Sequence, residues 1–194
     1  FMRRVLRGFR RFFQNRVMIC VPSGATDVER RAVLEAAVEV GAKEAFLIEE
    51  PMAAAIGANL NVEEPRGKMV VDIGGGTTDI AVISLGGIVV SKSLRIGGDR
   101  LDEGIVRYLR KQYNLAVGEQ TSENLKIMIG TCLQEDPDTK MILKGRDLLQ
   151  GLPRQIEVSS LNVSMAIGEM VQALIDGVRN VLELTPPELS ADII

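Results

Sequence analysis

The sequence predicts an α/β fold, and two observations indicate it. The apolar stretch 16–21 is followed by a helix that starts near Thr26 and then by a second apolar stretch, 45–48. Apolar runs of this length are typical of buried strands, and a strand-helix-strand unit makes its two strands parallel. Further along, the glycine turn 74–76 joins two more apolar strands. Strands that alternate with helices in this way indicate an α/β domain.

The first part of the chain carries helix signals between these strands. Thr26 and Glu29 have the spacing of a capping box, and Gly41 is the expected C′ residue of the same helix. Pro51 is well placed to begin a second helix over the alanine-rich residues 52–56. The apolar stripe of the first helix consists of Val33, Ala36, Ala37 and Val40.

The alternation continues after a polar stretch, 59–68, that we expect to be a hinge. The elements predicted after it are strands at 69–71, 80–83 and 88–94, a helix after Gly97 and Gly98, a short helix at 121–128, strands at 141–143 and 155–158, and a long helix that stops at 186–187.

Composition restricts the chemistry of the chain. With 194 residues, 46% of them hydrophobic, it is long enough to bury a core. No apolar run approaches the ~20 residues that span a bilayer, so we expect a cytoplasmic protein. Cys20 and Cys132 are interpreted as reduced packing residues, with a disulfide as the less favoured alternative. Because the chain has no histidine, any catalysis depends on carboxylates, lysines, hydroxyls and a metal.

Charge is distributed unevenly along the chain. The net charge is −3, but residues 1–16 contain six arginines and no acid, which leaves −9 on the rest. Apolar residues recur there at helical spacing and end in Phe12 and Phe13, which favours a basic amphipathic helix at an anionic membrane surface. Alternatively, the apolar stripe packs on the protein and the arginines are solvated. We expect no nucleic-acid binding, because the acidic remainder would repel phosphates.

The strongest functional signal is the glycine turn. Gly74, Gly75 and Gly76 have no Cβ and tolerate positive φ, so consecutive backbone N–H groups can converge on an anion. Asp72 can hold a hydrated Mg²⁺ beside that anion, and Thr77 adds a hydroxyl donor. The sequence around the turn matches neither a Walker A loop nor a Rossmann turn. The alternative is a glycine-rich hairpin without a ligand.

Two weaker signals lie further along the chain. Gly97 and Gly98 open a helix whose N-terminus tolerates an anion, although helix initiation alone also accounts for them. Glu123 and Lys126 lie three residues apart on one helix face, a spacing that by itself indicates a solvated ion pair.

Together these motifs resemble the ATPase domain shared by actin, sugar kinases and heat-shock chaperones, and within that superfamily the MreB family of bacterial actin-like, rod-shape-determining proteins. The resemblance covers essentially the whole chain. It implies an incomplete actin-like (ribonuclease H-like) ATPase fold, with 1–68 in the first lobe, 69–194 in the second lobe, and an outer subdomain at about 97–160. The motifs are Val21-Pro22-Ser23-Gly24, residues 48–57, the glycine turn 72–79 and Ile96-Gly97-Gly98-Asp99.

The resemblance also implies roles for individual residues. Glu50 matches the residue that orients the attacking water, whereas Glu49 is expected to point elsewhere. Phosphoryl transfer depends mainly on positioning and charge neutralisation, so a water-orienting group suffices. The match to the second phosphate loop, which holds the β- and γ-phosphates of ATP and the water shell of Mg²⁺, comprises the catalytic Asp72 together with Gly74, Gly75, Gly76 and Thr77.

Other matches concern the nucleoside and the membrane. By resemblance, Gly97 and Gly98 line the nucleotide cleft, and Glu123 and Lys126 contact the ribose and adenine. Phe12 and Phe13 match the hydrophobic loop that MreB-like proteins insert into the inner membrane, which favours the membrane interpretation of residues 1–16.

The function implied is that of a cytoskeletal subunit that binds ATP and Mg²⁺, polymerises into filaments at the inner face of the cell membrane, and directs cell shape and cell-wall synthesis. Its expected partners are further copies of itself and cell-shape membrane proteins. The alternatives are a small-molecule kinase and a chaperone-type or pilus-type ATPase of the same superfamily. The family's first phosphate loop and Gly-Gly-Gly adenine turn are missing, so we expect an internal piece, with little ATPase activity alone, of a parent protein that hydrolyses ATP.

Overall fold

The computed structural model describes residues 16–133 and 139–193. Phe12 and Phe13, with most of the predicted amphipathic segment, lie outside the described residues.

Strands and helices alternate along the described chain. The strands are β1 (Arg16–Val21), β2 (Glu44–Glu49), β3 (Lys68–Ile73), β4 (Thr78–Ser84), β5 (Gly87–Leu94), β6 (Leu115–Ala116), β7 (Lys140–Asp147) and β8 (Pro153–Ser159). The helices are α1 (Asp27–Glu39), α2 (Glu50–Gly57), α3 (Gly98–Tyr113), α4 (Glu119–Ile129), α5 (Ser160–Leu184) and α6 (Pro187–Ala191). The predicted α/β class is confirmed.

The chain divides into two compact units. Unit 1 comprises Phe1–Asp72, Asp79–Ser93 and Asn180–Ile194, and unit 2 comprises Ile73–Thr78 and Leu94–Arg179. The lobes expected at 1–68 and 69–194 and the outer subdomain at about 97–160 stay a prediction.

The first sheet of unit 1 confirms the strand-helix-strand prediction. Strands β1 and β2 are parallel, from Arg16 opposite Glu44 to Val21 opposite Glu49. The capping box of α1 is present, because the N–H of Glu29 donates to Thr26 Oγ1 at 3.3 Å and the N–H of Thr26 donates to Glu29 Oε2 at 2.8 Å. Gly41, at φ +108°, follows the helix as expected.

The predicted apolar stripe of α1 is only partly buried. Ala37 is fully buried, and Val33 and Val40 are half-buried. Ala36 is exposed, so that assignment was wrong: a helix that packs one narrow face leaves the edges of its stripe in solvent.

The second sheet of unit 1 has the order β3-β4-β5. The central strand, β4, is buried along all seven residues, and it is longer than the predicted 80–83. It continues into β5 through Leu85 and Gly86, whose φ angles of +50° and +73° give the turn the right-handed twist that joins adjacent strands tightly.

Helix α6 was not predicted, because Pro186 and Pro187 were interpreted only as a stop. Pro187 is instead the first residue of a short helix, a position where a missing N–H costs nothing. The segment is attached within unit 1, since the N–H of Gly67 donates to Asp192 Oδ2 at 2.9 Å.

Unit 2 packs α3, α4 and part of α5 on the antiparallel sheet β6-β7-β8. The predicted strand pair 141–143 and 155–158 is confirmed, and both strands are longer. The core of this unit consists of Ile105, Leu109, Leu115, Leu125, Ile129, Leu143, Val158, Val163 and Ile167.

The cysteines are free, as expected, but their role as packing residues was wrong. Cys20 and Cys132 are both exposed. Side chains alternate along β1, so Cys20 lies on the same exposed face as Met18, which is 64% exposed. Among the described residues, none of the helices has the length and apolar character needed to cross a membrane.

Candidate functional site

The glycine turn is closed by its own backbone. The N–H of Gly74 donates to the carbonyl of Thr77 at 2.9 Å. Gly74, Gly75 and Gly76 are exposed, and no described residue accepts a hydrogen bond from the N–H of Gly75 or Gly76. Two exposed amides without a protein acceptor are what an anion site offers.

Positive φ is not the reason for glycine in this turn, so that expectation was wrong. Among the described residues, the glycines with positive φ are Gly41, Gly86 and Gly151. A Cβ on Gly76 would meet nothing within 4 Å, and one on Gly74 or Gly75 would lie 3.3 or 3.4 Å from its nearest neighbour, whereas the close backbone approach falls on Gly97.

The start of α3 supplies this close approach. The N–H groups of Gly98 and Asp99 donate to the carbonyls of Gly74 and Gly75 at 3.0 and 2.9 Å. A Cβ on Gly97 would lie 2.5 Å from the carbonyl oxygen of Gly74 and still closer to that of Gly75. The two glycine motifs predicted from the sequence therefore form one hydrogen-bonded element of unit 2, and only a glycine fits at position 97.

Lys126 is held against this element. Its Nζ donates to the carbonyl of Gly98 at 3.1 Å and pairs with Asp102 Oδ2 at 2.8 Å. Both side chains are largely buried, at 21% and 15% exposed. The alternative of a solvated Glu123–Lys126 ion pair was therefore wrong, because Lys126 pairs with Asp102.

Asp102 was not identified from the sequence. It lies one helical turn after Gly98, and this spacing from a glycine pair is the only local signal that it carries. Its second oxygen, Oδ1, is buried and has no hydrogen-bond partner among the described residues.

Glu123 lines a cavity of about 720 Å³ beside α3 and α4. The lining residues are Asp99, Asp102, Glu103, Val106, Arg107, Glu119, Ser122 and Glu123. Carboxylates outnumber the single guanidinium, so the cavity favours neutral groups that donate hydrogen bonds over phosphates.

Unit 1 contains a second group of candidate residues. Asp79, at 2% exposed, begins the buried strand β4 and accepts a hydrogen bond from Ser23 Oγ at 3.2 Å. Glu50 is the first residue of α2. Burial raises the pKa of Glu50 above its usual value, and the negative charges of Asp79 and Asp72 raise this pKa further.

The neighbouring Glu49 has a different environment. Its carboxylate pairs with Arg30 of α1 at 2.7 Å, and both side chains are half-buried. Glu49 is therefore occupied by a structural ion pair, whereas Glu50 is influenced by other carboxylates.

The residues fit Mg²⁺ bound through water rather than in a cage of protein ligands. Asp72, at the end of β3, is half-buried and offers a hard oxygen ligand. Among the described residues, no group of three or more acidic or cysteine side chains is arranged to hold a metal. Mg²⁺ usually keeps several waters and takes one or two carboxylates plus substrate phosphates, which agrees with this arrangement.

Comparison of sequences identifies the relatives of the chain. The family model for MreB/Mbl protein matches residues 1–194. The cell shape-determining protein MreB of Escherichia coli K12 is 52% identical over 178 residues, which are 92% of this chain and 51% of that protein. The cell shape-determining protein Mbl of Bacillus subtilis 168 is 48% identical over 183 residues, or 94% and 55% of the two chains. The chain spans about half the length of these curated relatives.

Comparison of structures agrees. MreB5 of Spiroplasma citri bound to ADP superimposes with a TM-score of 0.93 at 38% identity, covering 98% of this chain and 58% of that one. MamK in its double helical filament has a TM-score of 0.77 at 21% identity, covering 99% and 57%, and shows a shared fold. The expected actin-like fold is confirmed, and the chain belongs to the MreB/Mbl family.

Proposed function

We propose that the protein is an actin-like cytoskeletal subunit that binds ATP with Mg²⁺, polymerises into filaments at the inner face of the cell membrane, and directs cell shape and cell-wall synthesis. Family membership supports this, since the related MreB and Mbl are cell shape-determining proteins. Because the chain spans about half of those relatives, the activity is proposed for the whole protein.

The observation that carries the proposal is the glycine element of unit 2. Gly75 and Gly76 are exposed, and their N–H groups have no acceptor among the described residues. The carbonyls of Gly74 and Gly75 accept hydrogen bonds from the N–H groups of Gly98 and Asp99 at the start of α3. A phosphate would accept hydrogen bonds from these amides at little cost, because the turn is already rigid. MreB5 of Spiroplasma citri binds ADP and AMPPNP, which supports a nucleotide as the ligand.

The acidic cavity supports a division of the nucleotide between two subsites. Glu123 and Asp102 would repel phosphates but can accept hydrogen bonds from ribose hydroxyls or the adenine amine. Lys126, fixed by Asp102 and the carbonyl of Gly98, connects this cavity to the glycine element. We therefore assign the phosphates to the glycine turn and the nucleoside to the cavity beside α3 and α4, with Gly97 and Gly98 between them.

Glu50 is the proposed water-orienting residue, and Asp72 the residue that holds the water shell of Mg²⁺. When bound, the ion would neutralise charge on the phosphates. The raised pKa of Glu50 makes its ionised form a stronger proton acceptor than an ordinary carboxylate, as a residue that polarises water requires. Asp79, which contributes to this shift, is held in place by Ser23.

The 194-residue chain alone should hydrolyse ATP poorly, since it spans about half the length of its curated relatives. Robust Mg²⁺-dependent hydrolysis by the purified chain would contradict this. Membrane attachment through Phe12 and Phe13 is part of the same proposal and rests on the sequence of residues 1–16.

A small-molecule kinase is the second candidate, because Glu50 with a raised pKa could equally deprotonate a substrate hydroxyl. Sedimentation with ATP in the absence of sugar phosphorylation supports the filament subunit, whereas sugar turnover without sedimentation supports the kinase. A chaperone-type or pilus-type ATPase would need an additional substrate domain.

Nucleotide binding is tested by adding a methyl group where only a ligand would meet it. A Cβ on Gly76 has no neighbour within 4 Å, and the same is true of Gly57 at the end of α2. In the whole protein, we expect Gly76→Ala to fold normally and to bind a fluorescent ATP analogue at least tenfold more weakly, about 1.4 kcal/mol. Gly57→Ala is the matched control and should bind like the parent. Equal binding by both variants would remove the glycine turn from the site.

A further inference from the structure

Asp99 places a negative charge next to the glycine turn. A Cβ on Gly75 would lie 3.4 Å from Asp99 Oδ1 and 3.6 Å from Oδ2, so both carboxylate oxygens lie beside this part of the turn. The backbone fixes this position, because the N–H of Asp99 donates to the carbonyl of Gly75 at 2.9 Å. A carboxylate is therefore adjacent to the exposed amides of Gly75 and Gly76, to which the phosphates are assigned.

The charge of Asp99 is not paired with a neighbouring cation. Arg100 pairs with Glu103 at 2.8 Å, and Lys126 pairs with Asp102 at 2.8 Å. The carboxylate of Asp99 forms no hydrogen bond or ion pair with another described residue. Its negative charge therefore acts on any ligand in the turn without compensation from a paired cation.

The surroundings of Asp99 are also acidic. Asp99 lines the cavity of about 720 Å³ together with Glu119 and Glu123. The guanidinium in this lining belongs to Arg107, eight residues along α3 and therefore about 12 Å further along the helix axis. An anion at the glycine turn is thus attracted by the free amides and repelled by the nearby carboxylate, and the two effects partly cancel.

An acid in the first turn of a helix also has a purely structural effect. It interacts favourably with the N-terminal end of the helix dipole, as Asp99 does in α3 and Asp27 does in α1. Asp99 differs from Asp27 because it lies beside the glycine turn. The structural effect is independent of the charge of a ligand, whereas repulsion by Asp99 increases with that charge.

We propose that Asp99 makes the glycine turn selective for nucleotide that is bound to a divalent cation. Metal-free ATP carries the full charge of its three phosphates, which Asp99 repels, whereas bound Mg²⁺ neutralises part of that charge. Asp99 is thus a specificity-determining residue that lowers the affinity for the metal-free form. This inference rests on the proposed function and adds to it a residue that controls which form of the nucleotide binds.

Equilibrium binding tests this role without depending on hydrolysis. The whole protein, Asp99→Asn and Asp27→Asn are titrated with a fluorescent ATP analogue, once with Mg²⁺ and once with EDTA. We expect Asp99→Asn to bind the metal-free analogue about fivefold or more tightly than the parent, and to bind the Mg²⁺ complex within about twofold of the parent. An equal gain for both forms, or no gain in EDTA, would overturn the proposal.

Two variants serve as controls in this titration. Asp27→Asn removes an exposed acid from the first turn of α1 and should bind both forms of the analogue like the parent. Asp99→Glu keeps the negative charge and should retain the parent's preference for the Mg²⁺ complex. A preference that Asp99→Glu loses as fully as Asp99→Asn does would contradict a role of the charge.

Ligands of increasing charge separate electrostatic repulsion from a structural effect. AMP, ADP and ATP displace the fluorescent analogue in EDTA, and the ratio of their affinities for Asp99→Asn and for the parent should rise in that order. The ratio for ATP should fall when KCl is raised from about 50 to about 500 mM, because salt screens exposed charges. A ratio that is the same for all three ligands would refute the repulsion.

The two levels of the argument fail differently. If the whole protein binds ATP neither with nor without Mg²⁺, the proposed function is wrong. If it binds the Mg²⁺ complex and Asp99→Asn leaves the ratio of the two affinities unchanged, the nucleotide site stands and Asp99 does not determine its selectivity.

Discussion

Replacing Gly97 by alanine tests the contact on which the candidate phosphate site depends. The new methyl group would lie 2.5 Å from the carbonyl oxygen of Gly74 and closer to that of Gly75. Both obstacles are backbone atoms, so no side chain can rotate away. The φ of Gly97 is −157°, which alanine adopts without strain, so the effect should arise from the contact alone.

The magnitude follows from the two ways in which the structure can respond. If the turn stays in place, overpacking costs about 1–3 kcal/mol. If the turn moves away, it loses the bonds from Gly98 and Asp99, which together contribute about 1–3 kcal/mol. Either response lowers the free energy of unfolding by about 1–3 kcal/mol. At about 2–4 °C per kcal/mol for a chain of this size, Tm should fall by about 2–12 °C.

Urea and thermal unfolding of the parent protein, Gly97→Ala and Gly76→Ala measure the effect. Gly76→Ala adds the same methyl group where no atom lies within 4 Å, so its stability should stay within about 0.5 kcal/mol of the parent. The reasoning is refuted if Gly97→Ala is as stable as the parent. It is also refuted if both variants lose the same stability, because the effect would then not come from the close approach.

Three further predictions concern charged residues. Glu50→Gln should lower ATP hydrolysis by the whole protein at least about 100-fold, and it should slightly raise stability at neutral pH, because the raised pKa means that the fold disfavours the charged form of Glu50. Asp79→Asn should shift the acid limb of the pH–rate profile to lower pH. An unshifted limb would contradict the effect of Asp79 on the pKa of Glu50. Lys126→Met should lower the free energy of unfolding in urea by about 1–3 kcal/mol, since it leaves the largely buried Asp102 without its cation. Asp102→Asn should lower it by less, and equal losses in the two variants would argue against the ion pair. The backbone N–H groups of Gln150 and Leu149, with Arg154, hold the pKa of Asp147 below its usual value. The stabilisation from ionised Asp147 is therefore present above the unfolded-state pKa of about 3.9 and is lost as pH falls through the lowered pKa. In Asp147→Asn the urea midpoint should vary less between pH 2 and 6 than in the parent, and an unchanged profile would exclude a stabilising role of the Asp147 carboxylate.

The elements that sequence predicted correctly are those with local causes. The capping box of Thr26 and Glu29 and the parallel strands around α1 depend on side-chain types within a few residues of one another. The glycine turn was located correctly as well, although the reason was partly wrong, because its glycines do not have positive φ and the position that close backbone contact restricts to glycine is Gly97.

The elements that were missed depend on distant partners. Strand β6 is two residues long and exists because Leu115 and Ala116 pair with Asp147 and Arg146; two residues are too few to show a period. The role of Asp102 likewise appears only when Lys126 is brought to it by the packing of α3 and α4. Exposure of Cys20 could not be predicted either, since an apolar strand does not reveal which of its faces is covered.

The complete burial of β4 provides an internal reference for measuring ligand binding. Its seven residues directly follow the exposed glycines of the turn. Amide hydrogens in β4 should exchange with deuterated water only when the protein unfolds globally, whereas those of Gly75 and Gly76 should exchange almost at the rate of a free peptide. One peptic fragment that spans both segments would therefore report occupancy of the turn and integrity of the fold in a single mass spectrum.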